Sequence, residues 1–271
     1  NAEFNIDLKF TKNGRFMPRI NEENNKAILV IGDSHAMGWG VRDDETFSYV
    51  LQNLSKRPVY NLAVSSYGTA REVVRLNNSS VLNKADLIII QYHENDLKEN
   101  LQFSSLEKDS YKDIFSHMIS SDVPVNILDT KNINIKKNPI FTMKKILREY
   151  KSSLRLVFTD LTGLFIKKGK EVNFKPHYKS LIKNVQNIEG FNNKKIIIFY
   201  SSSSKLKFYN FPKGYDEKNP NVYFHDIFDT NLPAKTKLEK KDFFYLDKHP
   251  NKNGHKKIGE NLYRLINNID D

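Results

Sequence analysis

Four short stretches of the chain are apolar without alternation: residues 26–31 (KAILVI), 59–63 (VYNLA), 85–92 (ADLIIIQY) and 194–200 (KKIIIFY). Runs this short and continuous mark strands buried on both faces of a parallel sheet, where no position looks into water. Parallel strands need crossovers, and stretches with helical spacing are predicted at 45–54, 69–76, 111–120 and 178–188. A last helix is expected from near Pro250, because Ile258, Leu262, Leu265 and Ile269 recur on one helical face. Strands alternating with helices predict an α/β fold, a mainly parallel sheet with helices on both sides. In such sheets the reactive site lies at the carboxyl ends of the strands.

Two regions depart from this alternation. Residues 1–26 are polar and basic without a sustained period and read as an extended lead-in to a single domain over 27–271. Residues 123–176 form a basic helical insertion, with Leu147, Tyr150, Leu154, Val157, Leu161 and Leu164 at helical spacing among Lys144, Lys145, Arg148, Lys151 and Arg155. Such a helix can pack on the core with a charged outer face, cover the site as a lid, or associate with a membrane surface. No internal repeat or low-complexity tract is found.

Composition narrows the picture. With 39% hydrophobic residues, 18 Phe and 13 Tyr in 271 positions, the chain can bury a core and is not of the disordered class. No stretch approaches the roughly 20 apolar residues of a membrane span. The absence of cysteine excludes disulfides, thiolate zinc sites and a cysteine nucleophile. It leaves the compartment open. Lys+Arg of 43 against Asp+Glu of 32 gives +11, which favours anionic partners, but the lysines are scattered as on a solvated surface and no nucleic-acid partner is expected. Seven histidines without metal-ligand spacing predict no metal site.

Three polar constellations follow predicted strands or precede the last helix. Gly32-Asp33-Ser34-His35 stands directly after the first strand, where Ser34 is either a nucleophile or, with Asp33, a helix N-cap. His93-Glu94-Asn95-Asp96 ends the third; the Asn95 amide can donate to an oxygen that becomes negative during acyl transfer, or simply belong to an Asx turn. Asp247-Lys248-His249-Pro250 precedes the last helix, and a carboxylate two residues before a histidine can fix its tautomer. Each is ordinary alone. Together they supply the nucleophile, base, orienting acid and oxyanion donor that acyl transfer by a serine requires.

The chain resembles the SGNH, or GDSL-type, serine hydrolases. GDSH followed by AMGWGVRDDETFSYVLQ is similar to that family's first block, HEND to its G-x-N-D block, and DKHPNKNGH to its last block, the match covering 27–103 and 242–268. The resemblance implies a flavodoxin-like three-layer α/β/α sandwich, with Ser34 as nucleophile, His249 as base and Asp247 as its orienting acid. It also implies an oxyanion hole from Asn95 and the backbone N–H groups of Ser34 and of Ser66 or Gly68. Two departures stand out. Serine 66 occupies the place of the block-two glycine, with Gly68 two residues on, and Asp247 lies two rather than three residues before His249, leaving Asp242 as a second candidate acid. His35, His93 and His255 border the motifs, where the alternatives are substrate contacts and the expected structural roles, and His117, His177 and His225 are expected to be incidental.

The expected activity is therefore hydrolysis of an O-acyl ester, O-acetyl on a glycan in particular, through an acyl-enzyme and without a cofactor. Transfer of the acyl group to a sugar hydroxyl would use the same residues, and a non-catalytic module binding an acidic polymer is the reading from another class. Asn1 is not an initiator methionine, and similar bacterial chains suggest a periplasmic or extracytoplasmic location, as the soluble part of an anchored protein.

Overall fold

The computed structural model describes residues 3–18, 26–104, 171–201, 207–229, 231–233, 235 and 237–270. The chain divides into two compact units, one of 1–111 with 171–271 and one of 112–170. The helix expected at 111–120 and the basic stretch up to residue 170 lie outside the described residues.

In chain order the first unit holds strands β1 (Phe10–Thr11), β2 (Gly14–Arg15), β3 (Ala27–Ile31), β4 (Val59–Asn61), β5 (Ala85–Tyr92), β6 (Glu171–Asn173), β7 (Lys195–Tyr200), β8 (Lys207–Tyr209), β9 (Gly214–Asp216) and β10 (Asn219–His225). Its helices are α1 (Ser34–Met37), α2 (Phe47–Ser55), α3 (Thr69–Asn77), α4 (Asp96–Ser104), α5 (Lys175–Val185) and α6 (Lys252–Asp270). The main sheet has eight strands in the order β1-β2-β4-β3-β5-β7-β10-β9, while β6 and β8 pair separately. The neighbours from β4 to β10 are all parallel. Their order is the flavodoxin-like one, which reverses direction between β3 and β5 and opens a crevice beyond the strand ends there.

The three layers follow from the two-residue period of the strands. Leu29, Ile31, Ile88, Ile90, Ile196 and Ile198 face one side and pack with Val73, Leu76, Leu181 and Val185 of α3 and α5. Ile28, Val30, Leu87, Ile89, Ile197 and Phe199 face the other and pack with Phe47, Leu51, Ile258, Leu262 and Ile266 of α2 and α6. The fully buried isoleucines explain why these strands read as unbroken apolar runs. Among the described residues no helix is long and apolar enough to cross a membrane.

Several elements differ from expectation. The lead-in is not wholly extended: Phe10–Thr11 and Gly14–Arg15 form a hairpin whose second strand pairs with β4 through Arg15 and Asn61. Its side chain is tied down where Arg15 Nε meets Asp43 at 2.9 Å and Nη2 meets the Val41 carbonyl at 3.0 Å. Strand β10 carries Pro220 and polar residues and has no apolar run, yet it extends the parallel sheet. The helix expected at 178–188 starts earlier, at Lys175, with Pro176 in its first turn, a position proline favours.

Candidate active site

Strand β3 ends in a turn that only glycine can make. Gly32 has φ +151°, and a Cβ there would lie 2.6 Å from Ala36 Cβ and 2.7 Å from Gln91 Oε1. Asp33 follows, and its carboxylate accepts from the His35 N–H at 2.8 Å, so Asp33 caps α1 and Ser34 is the first helical residue. The choice between cap and nucleophile is thereby divided between neighbours: the capping role belongs to Asp33. Gln91 Oε1 accepts from the Asp33 N–H at 3.1 Å, fixing the turn to β5. The Ser34 N–H, in the first helical turn, meets no acceptor among the described residues.

Residues 243–250 bring the base to this serine. The Phe244 N–H donates to the His249 carbonyl at 2.8 Å, and Phe243 bridges Pro250. Between Asp247 and His249, Lys248 takes a left-handed conformation at φ +71°, which folds the carboxylate back toward the ring. His249 Nδ1 is hydrogen-bonded to Asp247 Oδ1, and His249 Nε2 lies 2.7 Å from Ser34 Oγ. With the proton on Nδ1 held by the carboxylate, Nε2 accepts from the serine hydroxyl. Asp242 is not part of this relay. It is buried, and its Oδ2 accepts from Lys257 Nζ at 2.7 Å and from the Glu239 N–H at 2.8 Å.

The hole candidates separate clearly. After β4, the Val64 N–H donates to the Gly32 carbonyl at 3.0 Å, and the Tyr67 N–H donates to the Val64 carbonyl at 3.2 Å to close a turn. Ser66 is the third residue of that turn, left-handed at φ +65°, and its N–H has no acceptor among the described residues. The Gly68 N–H donates to Glu99 Oε1 at 3.1 Å, so it is occupied, and a Cβ there would lie 2.9 Å from the Glu99 carboxyl, which would have to shift. Gly68 therefore braces α3 against α4, and Ser66 is the residue with a free amide. Asn95 is exposed at the end of β5, in a turn closed by the Asp96 N–H on the His93 carbonyl at 3.2 Å. Its Oδ1 lies 2.9 Å from His93 Nδ1.

The pattern of motifs missed what surrounds these groups. The His35 ring is buried between those of His93, at 5.0 Å, and His249, at 4.7 Å, with Nδ1 3.1 Å from Ser201 Oγ. Burial, and then the neighbouring imidazoles of His93, His249 and His255, hold its pKa well below the ordinary histidine value, so it stays neutral beside the base. Asp33 of this turn is one of three buried, interacting carboxyls, with Glu72 and Asp96. Burial raises all three carboxyl pKa values, those of Glu72 and Asp96 strongly, and repulsion adds to it, from Asp96 and then Asp33 on Glu72 and from Asp33 on Asp96. His177 is not incidental, being buried with Nδ1 2.7 Å from the Tyr92 hydroxyl. His255 Nδ1 accepts from the Phe47 N–H at 3.1 Å at the start of α2, a structural role. A signal for His35 existed only in its place next to Ser34. Among the described residues no cluster of His, Asp or Glu could hold a metal ion.

Fold and site together describe an α/β protein with a serine, histidine and aspartate in relay at a topological switch point. No protein-family model and no curated protein matches the chain. Solved structures similar to it include a member of the lipolytic protein G-D-S-L family from Veillonella parvula, 11% identical, TM-score 0.43, covering 89% of this chain and 98% of that one. Another is the psychrotrophic esterase EstA from a Pseudoalteromonas species, 11% identical, TM-score 0.43, covering 91% and 100%. A family two carbohydrate esterase from Clostridium thermocellum, solved with cellohexaose, is 10% identical with TM-score 0.42, covering 94% and 67%.

Proposed function

We propose that the protein is a serine esterase of the SGNH type that hydrolyses an O-acyl ester. The observation that carries this reading is the unbroken relay from Asp247 through His249 to Ser34 Oγ. In the first half-reaction His249 Nε2 takes the hydroxyl proton as Ser34 Oγ attacks the ester carbonyl. The negative oxygen that forms is met by the Asn95 amide and the N–H groups of Ser34 and Ser66. The proton on Nε2 then passes to the leaving alcohol, and the acyl group remains on Ser34. Water, deprotonated by the same nitrogen, attacks the acyl-enzyme, and as the acyl–Oγ bond breaks Nε2 returns the proton to Ser34 Oγ and the acid leaves.

A short acyl group on a polyhydroxylated alcohol, an O-acetyl glycan, is the substrate class we favour. The rings gathered at the base are polar and aromatic: His35 lies 4.7 Å from the His249 ring and 5.0 Å from that of His93, and Trp39 lies 6.4 Å from the His249 ring. These groups suit hydroxyls and sugar faces better than a long aliphatic chain.

Treatment with a fluorophosphonate, followed by acetyl and longer nitrophenyl esters, tests the reading. A stoichiometric adduct on Ser34 and faster turnover of acetyl than of octanoyl ester are expected. An unlabelled Ser34 and no ester turnover would overturn it, and product analysis with a sugar acceptor separates hydrolysis from transfer.

A further inference from the structure

The carboxylate of Glu3 accepts three successive backbone N–H groups: Oε1 takes that of Tyr245 at 2.6 Å, and Oε2 takes those of Leu246 at 2.8 Å and Asp247 at 2.7 Å. Successive amides converging on one anion form a nest, a local concentration of positive dipole that a carboxylate fills well. Such charge-assisted bonds are stronger and more directional than neutral ones. The last of the three amides belongs to Asp247 itself, whose side chain holds His249 Nδ1.

The next residue anchors the same segment to the other side of the site. The Phe4 ring meets Trp39 edge-on at 6.1 Å and packs on Phe244 at 5.0 Å. Gly40 makes room for it, since a Cβ there would lie 2.6 Å from the Phe244 ring and 2.9 Å from that of Phe4. Residues 3 and 4 thus touch both the turn that follows Ser34 and the loop that carries Asp247 and His249. No motif covers them, and nothing in their spacing singles them out.

We propose that Glu3 is a positioning residue for the Ser34 relay: it grips the backbone of 245–247 and so sets the Asp247 carboxylate against His249. Lys248, left-handed at φ +71°, leaves the loop a conformation that its own residues favour little, so an external acceptor decides where the carboxylate points. A glutamine at position 3 offers one acceptor oxygen and turns an NH2 toward the remaining donors, so the grip fails while the size is kept.

This inference rests on the esterase reading for its kinetic arm only. In Glu3→Gln, kcat is expected to fall about 10- to 100-fold with KM within about twofold, the scale of a misplaced catalytic group. Glu3→Asp, which keeps the charge on a shorter arm, should fall between Glu3→Gln and wild type. In an Asp247→Asn background Glu3→Gln should add little, because both changes act on one unit. The substrate-independent readout is the low-field NMR resonance of the His249 Nδ1 proton, present in wild type and broadened or lost in Glu3→Gln. If that resonance and kcat survive Glu3→Gln, or if the two substitutions multiply as independent effects, the inference is overturned. A wild type without ester turnover would sink the functional reading instead, and the proton resonance would still decide the role of Glu3.

Discussion

His249 Nε2 stands 2.7 Å from Ser34 Oγ across 215 positions of sequence, and the two arrive there from distant parts of the chain. Ser34 leaves β3 at the crevice where the strand order reverses, while His249 comes from the loop that leads into α6. Neither is placed by the other. Each is held by its own stretch of backbone, one the turn at Gly32 and Asp33 and one the loop of Lys248 whose amides Glu3 accepts.

That independence separates the two acids of the second loop. Asp247→Asn should leave thermal stability near wild type and lower kcat by on the order of 10⁴-fold, because the amide no longer supports the imidazolium or its tautomer. Asp242→Asn should do the reverse. It leaves the Lys257 ammonium without its carboxylate partner and costs about 3 kcal/mol of stability, with kcat retained. Paired urea titrations and steady-state kinetics check this, and equal kcat losses in both variants would contradict the assignment.

The oxyanion donors differ in kind and should respond differently. Asn95→Ala removes a side-chain donor and should lower kcat by about 10²- to 10³-fold with little change in KM. Ser66 contributes only its N–H, so Ser66→Gly should keep activity and relax the left-handed φ of +65°, a gain below about 1 kcal/mol. Ser66→Pro removes the donor and cannot take a positive φ, so it should lose activity. A fully active Ser66→Pro enzyme would remove this residue from the hole.

How much of this was legible follows from where the information sits. β5 was readable to the residue, since Ile88, Ile89 and Ile90 are buried on both faces and leave no polar alternation to blur the run. β10 was not, because Pro220 and Asn221 break the apolar pattern in a strand next to the sheet edge. Ser34, Asp247 and His249, which hydrogen bonds join, carry side-chain types that stand out at strand and loop ends. Ser66 against Gly68 was undecidable, because the difference lies in whether a backbone amide is already bonded to Glu99. Glu3 was invisible for the same reason, since it reads amides that every residue type carries.

Glu72 offers a test on the alkaline side. Its carboxyl is fully buried with neither oxygen bonded among the described residues, and burial, followed by repulsion from Asp96 and Asp33, raises its pKa well above the ordinary glutamate range. A folded pKa above the unfolded one means that the folded state keeps the proton longer. Stability is therefore fully present below the ordinary value of about 4.5 and is lost as pH rises through the raised folded value. Glu72→Gln, uncharged at every pH, should match wild type near pH 5 and exceed it increasingly at neutral and alkaline pH in urea unfolding. Parallel curves for the two proteins would show that the buried carboxyl is paired.

His255 carries the opposite dependence. Burial lowers its pKa from 6.5 to about 3, with the nearby Arg15 and His249 charges adding to the shift, and its Nδ1 must stay unprotonated to accept the Phe47 N–H that opens α2. The unfolded state binds this proton first, so stability is present above about pH 6.5 and is lost as pH falls toward about 3. One proton contributes at most about 1.4 kcal/mol per pH unit to that slope. His255→Gln keeps an acceptor for the Phe47 amide without a titrating ring. It should therefore be less stable than wild type at pH 7, where the packed imidazole is lost, and yet show a flatter decline between pH 6 and 4. Urea titrations at unit pH steps measure the two slopes, and an identical slope in the variant would mean that other groups carry the acid sensitivity of the fold.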